Sequence, residues 1–174
     1  LADGINIGAS LAEADLVETA KKIKSAAKAS GCQLILPTDG VVATAFSAHA
    51  PHRTVRFANS AIASDEMILD AGPDAIAAAM AAITPCHTLI WNGPMGAFEL
   101  PPFDVATSEL ARHVASLSQK GSMISVAGGG DTIAALNHAK VMDQFSYVST
   151  AGGAFLEWLE GKPLPGVAVL LETA

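Results

Sequence analysis

A chain of 174 residues, 51% hydrophobic and with a formal net charge of −7, is long enough to bury a core as one domain of ordinary size. Its apolar runs are short and broken by Gly, Pro or Ser, so none approaches the roughly 20 residues that span a bilayer. Its acidity argues against a nucleic-acid backbone as partner, which needs a basic face. A soluble, cytoplasmic globular domain is expected, in which backbone dipoles can still bind a small anion.

In chain order, Ser10 and Glu13 read as a capping box opening a helix that runs to Gly31, with Leu16, Ala20, Ile23 and Ala27 on one face. Gln33–Leu36 reads as a short buried strand ended by Pro37, and Thr54–Phe57 as a second strand. Gly72-Pro73 opens an alanine-rich helix to about Ile83, with proline in its first turn. His87–Trp91 is a strand broken by Asn92-Gly93-Pro94, and a helix follows over Asp104–Lys120 with Leu110, Val114 and Leu117 on one face. Met123–Ala127 is a strand, Gly128-Gly129-Gly130 a turn, and a helix starts after it. Ser146–Val148 gives the last strand, Ala151-Gly152-Gly153 the next turn, and Ala154–Glu160 a helix; Lys162–Ala174 reads as a Pro-rich tail. Alternating strands and helices predict an α/β fold of the open, doubly wound, Rossmann-like kind, a parallel sheet with helices on both faces.

Ligands of such sheets bind beyond the carboxyl ends of the strands. Three distinctive loops fall there: Asn92–Glu99, Gly128–Thr132 and Thr150–Gly153. The glycine triplet lets a ligand approach the backbone closely, and the helix after it offers unpaired N–H groups and a positive dipole end, which suit a phosphate. Asp131 adds a carboxylate for a divalent cation and Thr132 a hydroxyl for a phosphate oxygen; the plainer reading makes Asp131 a helix cap. Glu99 can accept hydrogen bonds from two ribose hydroxyls while Met95, Ala97 and Phe98 face a base, or the loop is a surface turn with a solvated Glu99.

Other residues carry less. His49, His52, His87, His113 and His138 have no metal-ligand spacing. Asp39 reads as structural, and Cys32 and Cys86 as buried thiols of a reducing compartment. There is no P-loop and no dinucleotide fingerprint.

Taken together, the loops resemble the phosphoglycerate kinase family. Trp91–Glu99 is similar to its W-N-G-P-x-G-x-F-E segment, Ser125–Thr132 to its strand and G-G-G-D-T loop, and Ser149–Gly153 with Glu157 to its S-T-G-G-G-A-S-L-E segment. Leu36–Asp39, Asp70–Pro73 and Glu160–Val167 also match family stretches, in the right order along the chain.

The resemblance implies the nucleotide-binding C-terminal domain of a two-domain kinase over residues 1–174, with 162–174 as its tail. In that reading the leading part of the domain is missing and the chain alone is inactive. Glu99 would bind the ribose, while Asn92, Gly93, Pro94 and Gly96 would shape the nucleotide loop. Gly129, Gly130, Asp131 and Thr132 would hold the phosphates of ADP or ATP, with Asp131 at Mg²⁺. Gly130, Gly152 and Gly153 would stabilise the phosphoryl group through backbone N–H groups. The other substrate, 3-phosphoglycerate or 1,3-bisphosphoglycerate, would sit on the absent N-terminal domain of a monomeric enzyme. Departures from the family pattern are Ala97 for a valine, Ala151 for a glycine and Phe155 for a serine. The glycine loops alone would also allow a non-catalytic nucleotide- or phosphosugar-binding domain.

Overall fold

The computed structural model describes residues 1–59, 61–149 and 151–172. These fall into two compact units: residues 1–85 with 95–110, and residues 86–94 with 111–174. Each is described on its own.

The first unit opens with a 3-10 turn, Ala14–Leu16, and helix α1, Val17–Ser30. Gly31 ends α1 in the left-handed conformation, φ 72°, as its sequence position predicts. The start of the helix differs from expectation. Ser10 does not cap it: its hydroxyl donates to the Ile7 carbonyl at 2.5 Å and accepts the Ile68 N–H at 2.8 Å, tying the N-terminal segment to a strand.

That strand belongs to an antiparallel sheet in the order β2–β1–β3, built from β1 (Asp39–Ala43), β2 (His52–Arg56) and β3 (Met67–Ala71). Here the all-parallel expectation is corrected. Residues 44–51 join β1 to β2 and residues 57–66 join β2 to β3, with no helix among the described residues of either link. A parallel pair needs a crossover of a dozen residues or more, so the short link from β1 to β2 imposes reversal, and β3 then adds to the other edge of β1, also antiparallel to it. Alternate β1 side chains serve the two faces: Val42 packs with Val55 and Ile62, Ala43 with Leu69, Ala50 and Phe103. Gln33–Leu36 is not a strand, and Leu34, Ile35 and Leu36 remain 41%, 41% and 52% exposed.

Helix α2, Pro73–Ile83, begins at its proline as predicted. Its N-cap, Gly72, has no side chain to offer. Asp39 supplies the cap instead, accepting the Asp74 and Ala75 N–H groups at 3.1 and 2.8 Å. This buried carboxylate is structural, as its sequence context suggested.

The second unit holds β4 (Thr88–Trp91), β5 (Ile124–Gly128) and β6 (Tyr147–Ser149), parallel and in that order. Helix α3, Val105–Gln119, has its residues divided between the units; Leu110 and Val114 of its apolar face are buried. Helix α4 runs over Gly130–His138 and α5 over Gly152–Leu159. The mixed α/β class with a parallel sheet and flanking helices is thus as expected. The tail is not a plain extension, since Pro165–Glu172 forms α6.

Trp91, Val114, Ala127, Leu136, Val141 and Phe145 are buried apolar residues of the second unit, with the Trp91 and Phe145 rings edge to face at 6.1 Å. Cys32 and Cys86 are both exposed, against expectation, because each sits in the link after a helix rather than within one. Among the described residues no helix is long and apolar enough to cross a membrane.

Candidate functional site

The parallel pairing sets the loops of the second unit side by side. Trp91 pairs with Ala127, and Gly128 with Ser149, so β4, β5 and β6 end at neighbouring points. Beyond them lie Asn92-Gly93-Pro94, Gly129-Gly130-Asp131 and Gly152-Gly153. Thr150 lies outside the described residues.

Backbone geometry holds this cluster together. Gly129, the N-cap of α4, has φ 101°, a conformation that side-chain-bearing residues rarely adopt. Gly152, the first residue of α5, packs directly on it: a Cβ at Gly152 would stand 2.4 Å from both the Gly129 nitrogen and its Cα. Two helix N-termini are therefore in backbone contact. Gly130 and Gly153 are exposed, and a Cβ built on either meets no atom within 4 Å.

The first N–H groups of a helix have no partner within it, and their dipoles add to a partial positive charge. Helix starts of this kind suit an anion in general. Asp131 stands exposed in the first turn of α4, while the cap position belongs to Gly129. A carboxylate beside a bound phosphate would repel it, and a divalent cation between the two removes that repulsion. A hard carboxylate oxygen with phosphate oxygens is a donor set that suits Mg²⁺, which is commonly held by one or two carboxylates together with phosphates.

Thr132 is buried, and its Oγ1 accepts the Gly93 N–H at 2.8 Å. The hydroxyl thus links the first turn of α4 to the loop after β4. Trp91 braces the same loop, its Nε1–H donating to the Gly93 carbonyl at 2.6 Å.

Gly96 and Glu99 belong to the first unit. The Ala97 N–H donates to the Leu69 carbonyl at 2.8 Å, which lays the segment along β3, and the Met95 N–H donates to Thr107 Oγ1 at 3.0 Å. Glu99 is exposed at the tip of the turn. Phe98 is 6% exposed and turned into the core, so of the three apolar residues expected to face a base it offers no surface. Met95, Gly96 and Ala97 line a cleft of ≈ 440 Å³ with Pro37, Phe46 and Phe57.

Sequence reasoning missed Asp70. It is 2% exposed, accepts the Ala71 and Ala106 N–H groups at 2.9 and 3.0 Å, and touches Gly96. Burial pushes its carboxyl up to about 6, against the pull of the Ala106 and Ala71 N–H groups; Asp104 adds to the rise and the Val105 N–H opposes it. The available signal was an acid closing the apolar run Met67-Ile68-Leu69, since a carboxylate buried at a strand end needs N–H partners.

Comparison with known proteins bears on the family and the fold. The profile of the phosphoglycerate kinase family matches residues 1–162. A phosphoglycerate kinase of Allorhizobium ampelinum is 58% identical over 173 residues, 99% of this chain and 43% of that protein. One of Sphingopyxis alaskensis is 59% identical over 169 residues, 97% of this chain and 42% of that protein. The structure of phosphoglycerate kinase from Coxiella burnetii matches with a TM-score of 0.89 at 41% identity, over 97% of this chain and 42% of that one. The enzyme from Pyrococcus horikoshii, at 24% identity and a TM-score of 0.68 over 98% of this chain and 41% of that one, shares the fold. The chain spans about two fifths of the length of these relatives. With the profile covering all but the last stretch of the sequence, the chain belongs to the phosphoglycerate kinase family.

Proposed function

We propose that this chain is the nucleotide-binding part of a cytoplasmic, monomeric phosphoglycerate kinase, acting in reversible phosphoryl transfer between 1,3-bisphosphoglycerate and ADP in glycolysis. The observation that carries the reading is the Gly129–Gly152 backbone contact, which brings two helix N-termini together at the ends of parallel strands. Phosphoryl transfer asks little covalent chemistry of a protein. It asks for in-line positioning and for stabilisation of charge on the transferred group.

In this reading the N–H groups at Gly129–Thr132 orient the nucleotide phosphates. Those of Gly130, Gly152 and Gly153 receive charge on the moving phosphoryl group. Asn92, Gly93, Pro94 and Gly96 shape the nucleotide loop, and Thr132 keeps Gly93 in place. Glu99 binds the ribose, a role that rests on the family resemblance and on its exposure. Asp131 holds Mg²⁺, which when bound neutralises phosphate charge. The phosphoglycerate binds to a part of the longer enzyme outside these residues, so the chain alone binds MgADP without turning it over.

The experiment is titration calorimetry of MgADP into the chain, alongside Gly152→Ala. A Cβ there must force the two helix starts apart. Saturable binding that the substitution weakens at least tenfold is expected, about 1.4 kcal/mol. Equal affinity of the two proteins would overturn the phosphate assignment. Turnover by the chain alone in a coupled ADP-phosphorylation assay would overturn the need for a second part.

A further inference from the structure

Two buried polar side chains, Thr107 and Asp70, meet the segment that carries Glu99, and Asp70 does so at two places. Asp70 sits in β3 next to Leu69, whose carbonyl accepts the Ala97 N–H. A Cβ at Gly96 would stand 2.2 Å from Asp70 Oδ1, so the Gly96 backbone lies directly on the carboxylate. The other oxygen, Oδ2, accepts the Ala106 N–H in the first turn of α3. Oδ1 itself accepts the Ala71 N–H, and the carboxylate meets both ends of the segment 96–106, which carries Glu99: by packing at Gly96 and by a hydrogen bond at Ala106. Only glycine fits at position 96, and only an acceptor serves at position 70.

We propose that Asp70 is a positioning residue for nucleotide binding, its carboxylate clasping Gly96 and Ala106 and so setting where the Glu99 carboxylate stands. The inference rests on the nucleotide reading of the Glu99 loop. It adds a residue that touches no ligand yet tunes affinity.

Of the charged groups on the elements packed against Asp70, Asp39 on β1, Glu99 in the loop, Asp104 before α3 and Glu109 within it are acids, while Arg112 and His113 follow further along α3. The ionised carboxylate is consequently costly to bury, and protonation relieves that cost below about pH 6. Protonation also loosens the clasp. A neutral carboxyl retains one good acceptor and turns a donor towards the remaining N–H. Stability and nucleotide affinity should thus respond in opposite directions, which a merely structural role does not produce.

The test compares the wild type, Asp70→Asn, Glu99→Gln and the double variant in a full-length enzyme carrying this sequence. Asn mimics the protonated carboxyl in size and acceptor count. At pH 7.5 Asp70→Asn should raise the KM for ADP about fivefold, the factor of one lost hydrogen bond, with kcat within about twofold. The ratio of the two KM values should fall towards one as pH drops to 5, and the urea midpoint at pH 7.5 should not fall. In the double variant the two KM effects should be less than multiplicative, because both act through Glu99. Multiplicative effects, or a lowered urea midpoint with unchanged KM, would overturn the positioning role while leaving the Glu99 reading intact. An unchanged KM in Glu99→Gln alone would instead remove the ribose reading and this inference with it.

Discussion

At the scale of single residues, the site separates groups that meet ligand from groups that hold the loops. In the proposed reading Asp131 is of the first kind. In the full-length enzyme, Asp131→Asn keeps shape and removes the charge that a hard cation prefers, so stability should change little while kcat/KM for MgADP falls at least tenfold, about 1.4 kcal/mol. Steady-state kinetics beside a urea melt check both halves, and an unaltered kcat/KM would remove the metal role. Thr132 is of the second kind. Thr132→Val leaves the Gly93 N–H without the acceptor it has at 2.8 Å, at a cost of about 1–3 kcal/mol in a urea melt. Asp70 gives stability a pH dependence whose sign is fixed. Its carboxyl is raised from the usual 3.8 to about 6, so between those values the folded state keeps a proton that the unfolded chain has released. Its contribution therefore falls as pH rises from about 4 to about 6 and is level above. The difference between wild-type and Asp70→Asn urea midpoints, followed from pH 4 to 7, should show that slope; a flat difference would contradict it.

At the scale of elements, α2 shows how a distant side chain completes a helix. Its glycine N-cap cannot accept a hydrogen bond, and Asp39, 35 residues earlier than Asp74, does so instead. Asp39→Ala should cost about 1–2 kcal/mol, near the upper range for lost caps because the vacated site is buried. A urea melt with an unchanged m-value is the measurement, and a midpoint equal to that of the wild type would show that Asp39 does not support α2. Helix α4 also has a glycine N-cap, Gly129, without a side-chain cap, as the proposed phosphate role of that helix start requires.

For the whole molecule, the apolar surface around α1 is the notable feature. Leu16 and Ile23 are 49% and 55% exposed, and with Leu1, Ile5, Leu34 and Leu36 they line an open cleft of ≈ 510 Å³. The helix is amphipathic as its sequence says, yet only Ala27 is buried. Contiguous exposed apolar surface of this kind favours association. Light scattering of the chain should show mass rising with concentration, and Leu34→Lys should reduce the effect. A strictly monomeric chain at high concentration would count against it.

Local chemistry determined much of this protein from sequence alone. Proline at the first turn of α2, glycine after α1 and α3, and helical spacing in α3 act over a few residues, so they were legible without a partner. The glycine loops were legible for the same reason, since Gly129 and Gly152 answer to backbone geometry at a turn. What only the tertiary structure decided involves partners far along the chain. Strands β1 and β3 went unread because Val42 and Leu69 reveal their faces only when paired, and Gln33–Leu36 looked like a strand yet gained no ladder. A strand is defined by its neighbour, and its propensity is mostly packing in context. The buried carboxylates follow the same rule: Asp39 and Asp70 are ordinary acids in sequence, and become helix caps only where folding carries N–H groups to them.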